Sequence, residues 1–422
     1  MRLELNIYHV HDVKLGSATR MQDGILSVDG EALRRHLLQE DARLEDTRFE
    51  LAHAGELCRI TSIADIVEPR AKISGGVDFP GVLGPFETAG MGTTAVLRGM
   101  VVTMLNPGER PGGRSPVLDM GGTHREGWTA WDLSVFANVQ HLVIIPRLAA
   151  GVIGDEALNT LRFAVLRAAV WLASEAGHGV PDATEHFELA PVADLPRVVY
   201  VFQIHSHQRP TVNGEPLLYG DNVRHLLPVV LHPNEVLDGA VLQGYSGRGN
   251  SIIQNHPVIL ELYRRHGQDL NFAGVIAVVA HQTAAERERS AMMAANLVKH
   301  VLQADGVILT KTGGGAPHID MAEIAHRCEQ LGVRTTLIAW ETSSTGGAEE
   351  GSALFNHPDL DAVVNVGSNG YQFSLPSMDR VIMPQDDPAL AERMTGPMEA
   401  TANQFCGVLD QFGGGRWATV LY

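Results

Sequence analysis

The sequence predicts an α/β fold in two parts: a β-rich N-terminal domain over residues 1–150, then a doubly wound, mainly parallel α/β domain over residues 151–422. Three observations carry that expectation. Short runs with partial period-2 alternation fill the first part, as half-buried strands require. Strand-like and helix-like segments alternate through the second part with short connections, the pattern of a parallel sheet clothed by helices. One of those runs, 272–280 (FAGVIAVVA), is almost wholly apolar, as a strand covered on both faces should be.

In the first part, MRLELNIYHV and RITSIADIV alternate, while VVTMLN and HLVIIP are short strand-like runs bounded by Gly or Pro. Residues 106–113 (NPGERPGG) read as a turn-rich loop. In the second part, Asp155 is placed to cap a helix. Its apolar residues Leu158, Leu161, Val165, Ala169 and Leu172 recur at three- and four-residue spacing up to Gly177. Strands are expected at 198–204, 272–280, 307–309, 334–340 and 362–366. Thr283-x-x-Glu286 is a capping box for a helix reaching about Ala304. Asp320-x-x-Glu323 opens another helix, which stops at Gly332.

At 422 residues and 45% hydrophobic, the chain can bury a substantial core. Its net charge is −17, and its lysines are Lys14, Lys72, Lys299 and Lys311 alone. That balance opposes binding to nucleic acid or to an anionic membrane, which needs clustered basic residues. Cys58, Cys328 and Cys406 are widely spaced with no CxxC pair, so neither a disulfide framework nor a thiolate zinc site is expected. The opening MRLELN lacks the basic-then-apolar pattern of a signal peptide. No apolar run approaches the ~20 residues that span a bilayer. A soluble, cytoplasmic protein is expected.

Ligands of open parallel sheets bind beyond the carboxyl ends of the strands, and here each predicted strand ends in polar residues with Gly or Ser. His205 and His207 follow the first strand, and His281 follows the second. Lys311 follows the third, with Gly313, Gly314 and Gly315 after it. Glu341 and Ser343 follow the fourth, and Asn369 follows the last. Lys311 is the sharpest candidate. A lysine partly desolvated at a strand end would have a lowered pKa and could act as a base or Schiff-base former. The alternative is a lysine reaching solvent. Glu341 and His281 could exchange protons with a substrate, or Glu341 could simply cap a helix. The three glycines could turn N–H groups toward a carboxylate, with Ser343 and Asn369 beside them. They match neither a dinucleotide fingerprint nor a P-loop. His205 and His207, two apart on an extended segment, face one side. With Glu235 or Asp238 as a carboxylate ligand and water completing the shell, they could hold a divalent metal such as Zn²⁺. Hydrogen-bonding histidines at a site mouth are the plainer reading.

Residues 228–259 (PVVLHPNEVLDGAVLQGYSGRGNSIIQNHPVI) crowd polar groups among glycines and prolines, as a site loop would. The run LHPNEVLDGAVL, followed by NHPVILELYRRHGQDLNFAGVI, resembles the component B proprotein subunit of glycine/sarcosine/betaine reductases. The opening MRLELNIYHVHDVKLG, IVEPRAKISG (66–75), PRVVYVFQ (196–203) and Arg287-Glu288-Arg289-Ser290 fit the same family. The resemblance runs from residue 1 to about residue 385, carried by the collinear order of many motifs rather than by one signature.

In that family a cysteine just after the DGA segment is where the chain cuts itself and forms a pyruvoyl group, which can hold an amine. Laid alongside without gaps, this chain has Ser246 there, so an unprocessed chain without a pyruvoyl group is expected. The resemblance implies a second component B-like protein subunit, whose selenocysteine or cysteine attacks the substrate carbon and cleaves its C–N bond. It also implies assembly into an oligomer. The leading expectation is therefore an enzyme subunit that binds a small amine- or carboxylate-bearing molecule for such cleavage, with Lys311, Glu341, His281 and Ser246 as catalytic candidates. Two others stay open: a metal-dependent hydrolase or lyase using His205, His207 and a carboxylate, and a scaffold that has lost its chemistry.

Overall fold

A computed structural model describes the chain outside residues 113–114, 122–129, 207–215, 244–248, 282, 314–315, 342–361 and 417–422, and outside the side chains of residues 205, 206, 316 and 341. The molecule is α/β. The alternating N-terminal runs form strands Arg2–His9, Cys58–Thr61, Ile63–Val67, Met100–Leu105 and Gln140–Leu148. Arg2–His9 lies between Gly92–Arg98 and Ala183–Glu188 in one four-stranded sheet. Met100–Leu105 lies between Gln140–Leu148 and Ile63–Val67 in another. The long helix Gly154–Ala176 packs Leu161, Val165, Ala169 and Leu172 onto these sheets. Gly177 ends it, but Asp155 lies in its first turn. The N-cap position belongs to Ile153, which offers no side-chain hydrogen bond.

The second sheet system is built on five parallel strands, here β1 (Arg197–Ser206), β2 (Asn271–Ala280), β3 (Gly306–Thr310), β4 (Arg334–Glu341) and β5 (Val363–Ser368). Their spatial order is 2-1-3-4-5, and the short strand Val229–Leu231 pairs antiparallel beyond β2. The helices Ala284–Asn296 and Ala316–Gln330 cover one face, burying Ala291, Ala294, Ala295, Met321, Ile324 and Ala325 against Val199, Val201, Ile276 and Leu309. Pro257–Arg265 packs Ile259 and Leu262 on the other face, beside Tyr200, Phe202, Phe272 and Val275.

The Thr283/Glu286 capping box forms, and its helix ends at Asn296 in a π-helical turn, Leu297–Val301, short of the expected Ala304. The next helix starts at Ala316 with Pro317 in its first turn, four residues before the predicted cap Asp320. The two parts of the chain share structure. Strand Arg380–Ile382 pairs with Cys58–Thr61, and one apolar core runs from Leu3, Ile60 and Val143 to Phe202, Trp340 and Phe405.

Candidate functional site

With order 2-1-3-4-5, the connections leave β1 and β3 in opposite directions, so their carboxyl ends form a topological switch point, the place where open sheets of this kind bind ligands. β1 reaches that edge through Phe202 and Gln203, and β3 through Thr310, paired with Phe202. Beyond Thr310 the chain enters Lys311–Gly313, gripped from both sides. The Thr312 N–H donates to Gln203 Oε1 at 3.1 Å, and the Thr312 hydroxyl donates to the Gln203 carbonyl at 2.5 Å. The Gly313 N–H donates to Gln411 Oε1 at 3.1 Å. Gly313 has φ +83°, so a side chain there would be strained.

Its carbonyl faces inward and accepts Lys311 Nζ at 2.7 Å, with Trp340 Nε1 at 3.4 Å. Lys311 Nζ also lies 5.1 Å from the Trp340 ring centre, within cation–π range. Lys311 is 0% exposed, so the solvent-reaching alternative does not describe it. Below this edge, Tyr200 Oη sits 2.5 Å from Thr310 Oγ1 and 3.1 Å from His256 Nε2. Burial holds the His256 imidazole down at about 3, so it stays neutral.

At the end of β2, His281 is buried and its backbone N–H donates to Asp320 Oδ2 at 2.8 Å. Asp320 Oδ1 is 3.5 Å from Arg287 Nε. Burial outweighs that cation and pushes the Asp320 carboxyl up to about 7. A carboxyl that titrates near neutrality at a strand's carboxyl end is suited to proton transfer. Asp320 was read only as a helix cap in the sequence. Gln203 was read only as the end of a strand run, and Gln411 not at all, since glutamine carries no chemical motif and the two are far apart in the chain.

The structure brings Lys311 and Gly313 together and places His281 on the same sheet edge. Asn369 lies in the turn after β5, half-buried, its carbonyl accepting the Asn403 N–H. The backbone of His205 lies near the end of β1 and that of Glu341 closes β4. Their side chains lie outside the described set, as do His207, Ser246, Gly314, Gly315 and Ser343.

Glu235 is engaged elsewhere. Its carboxylate accepts the His232 N–H at 2.6 Å and the Tyr219 hydroxyl at 2.6 Å, closing the cap of helix Pro233–Leu237. His232 Nδ1 accepts the Asn234 N–H, and burial lowers that imidazole to about 4. Asp238 pairs with Lys72, both nearly buried, and also accepts the Gly90 N–H and the Thr94 hydroxyl. Gly90 approaches so closely that a Cβ would stand 2.7 Å from Asn234 Cβ. Asn255 bridges Arg70 and Glu68, while Asn250 is held by Asp65. Among the described residues no group of His, Cys, Asp and Glu is arranged to hold a metal. Among them, too, no helix is long and apolar enough to cross a membrane.

The family model described as glycine/sarcosine/betaine reductase component B subunits matches residues 1–405. The chain is 30% identical over 396 residues to the "Glycine reductase complex component B subunits alpha and beta" of Acetoanaerobium sticklandii, covering 90% of this chain and 89% of that one. It is 30% identical over 417 residues to the "Sarcosine reductase complex component B subunit alpha" of Peptoclostridium acidaminophilum, covering 96% and 94%. With the "Betaine reductase complex component B subunit alpha" of the same organism it shares 27% identity over 399 residues, covering 90% and 88%. No solved structure matches it.

Proposed function

Since the chain belongs to the family of glycine/sarcosine/betaine reductase component B subunits, we propose that it is the ligand-holding subunit of a multi-component reductase-like complex. It binds a small molecule bearing an amine and a carboxylate at the carboxyl ends of β1 and β3, for cleavage of a C–N or related bond. The observation that carries this reading is the buried Lys311 ammonium at that edge, held by Gly313 O and Trp340 among amide groups.

The reductant comes from elsewhere in the complex. Cys58, Cys328 and Cys406 are all buried; burial pushes the first two thiols up to about 12 and raises the third as well. None can supply a thiolate near neutral pH, so the attacking sulfur or selenium belongs to a partner subunit. The chain works without a pyruvoyl group. Ser246 stands where the family's cysteine would, and none of the buried cysteines lies in that segment.

Two measurements test the reading. Titration calorimetry should detect binding of glycine, sarcosine or betaine to the purified chain; no heat from any of them counts against a ligand-holding role. Denaturing electrophoresis should show one full-length band. Two fragments parting near residue 246, the smaller, C-terminal one reacting with a carbonyl reagent, would restore the pyruvoyl chemistry.

A further inference from the structure

Gln203 and Gln411 hold two consecutive amides at the carboxyl edge of β1 and β3. Both are buried, at 0% and 1% exposure. Each spends its Oε1 on a backbone N–H, Gln203 on Thr312 and Gln411 on Gly313. A peptide N–H can only donate, so the oxygen must face the loop and the NH₂ must face away. Both Nε2 atoms are buried and have no hydrogen-bond partner among the described residues. Buried amide donors are rarely left this way, and one left so in a native fold calls for an unseen acceptor. The neighbouring Asp410 carboxylate turns its oxygens to the Phe412 and Gly414 N–H groups.

The two carboxamides grip consecutive peptide groups, whose α-carbons are ~3.8 Å apart. The Lys311 ammonium adds positive charge to the same loop. Donors and a cation at one place select an anionic acceptor. A carboxylate offers two oxygens and about four lone-pair sites, whereas an ammonium or methylammonium end offers none.

We propose that Gln203 and Gln411 receive the ligand's carboxylate through their Nε2 atoms, so that the ligand enters carboxylate first with its amine end facing outward. The assignment rests on the ligand-holding role proposed above and adds to it the residues and the orientation.

The test has a ligand arm and a variant arm, both read by titration calorimetry on the full chain. In the ligand arm, glycine is compared with glycinamide, and betaine with choline. Each pair keeps its amine end and exchanges the carboxylate for a neutral group. The wild-type protein should bind the carboxylates at least tenfold more tightly. In the variant arm, Gln203→Glu and Gln411→Glu keep an oxygen for the Thr312 or Gly313 N–H and replace the Nε2 donor with an oxygen. Each should weaken glycine and betaine binding by tenfold or more, with the fold checked by circular dichroism.

Equal affinity within each ligand pair overturns the assignment and leaves the amides to ordered water. So does undiminished binding in both variants. Both outcomes spare the ligand-holding role. Should a variant fail to fold, the ligand arm decides alone. If the wild-type chain binds neither carboxylate, the assignment falls together with the role it rests on.

Discussion

Residues 232–256 and the carboxyl edge of β1 and β3 are both dense in polar side chains, yet they are put together in opposite ways. In the first region most polar groups meet partners within the chain, with His256 Nδ1 and Gln243 Nε2 as exceptions among the described residues. His232 and Glu235 cap one helix, Asp238 faces Lys72, and Asn255 joins Arg70 to Glu68. In the second region two buried amides keep donors that no described residue accepts. Polar density in a sequence therefore marks two different things, a buttress whose groups satisfy one another and a surface kept for something else. What separates the two is where the unpartnered groups stand, since only in the second region do two of them grip consecutive peptide groups beside a lysine; composition does not separate them.

Substitutions can break or sharpen that contrast. The largest effect is expected at Lys72→Met. The Lys72 and Asp238 side chains are each only 5% exposed, and removing one partner strands a buried charge, so stability should fall by about 3–5 kcal/mol in urea unfolding. A near-neutral result would remove the buttress from the argument. Lys311→Met comes next. It keeps most of the stem's packing and removes the charge, so turnover in a complex reconstituted with its partner subunit should fall roughly 10²-fold while the fold survives. A variant that loses stability as Lys72→Met does, or that retains full turnover, would move Lys311 into the buttress class.

Asp320→Asn probes the second region through pH. The folded carboxyl titrates at about 7, against an ordinary value of 3.8. Between those values the unfolded chain has released a proton that the folded chain keeps, so the group's contribution is whole at the acid end and is lost as pH rises through the window. Wild-type stability should decline relative to Asp320→Asn from about pH 4 to 7 and run parallel above it; parallel curves throughout would mean an ordinary carboxyl. The smallest effect belongs to Glu235→Ala, which opens one helix cap and should cost about 1 kcal/mol in a thermal melt.

Much of the α/β pattern was legible because local rules write it. The apolar 272–280 run became β2, and the Thr283/Glu286 pair became a working capping box. Asp320-x-x-Glu323 has the same spelling as that box, yet its helix begins at Ala316 and the carboxylate reaches across to the His281 N–H. Only a tertiary neighbour distinguishes the two cases. The strand order was equally silent, since alternation of strands and helices does not say that β3 lies beside β1. Lys311 was legible as a candidate through its scarcity and its place at a strand end. Gln203 and Gln411 were not, because their meaning arises only where two distant parts of the chain clasp consecutive peptide groups.

The strand pairing across the molecule has a consequence for any break in the chain. Arg59, fully buried, forks onto Asp119 and also donates to the carbonyls of Pro376, Met394 and Gly396. Beside it, strand Arg380–Ile382 zips onto Cys58–Thr61. A cut between residues 244 and 248 would divide the covalent chain but not the woven one, because the piece after the cut is stitched through a sheet that the piece before it begins. The halves would travel as one particle through gel filtration and native electrophoresis. Nicked and intact molecules would part company only after denaturant had undone the weave.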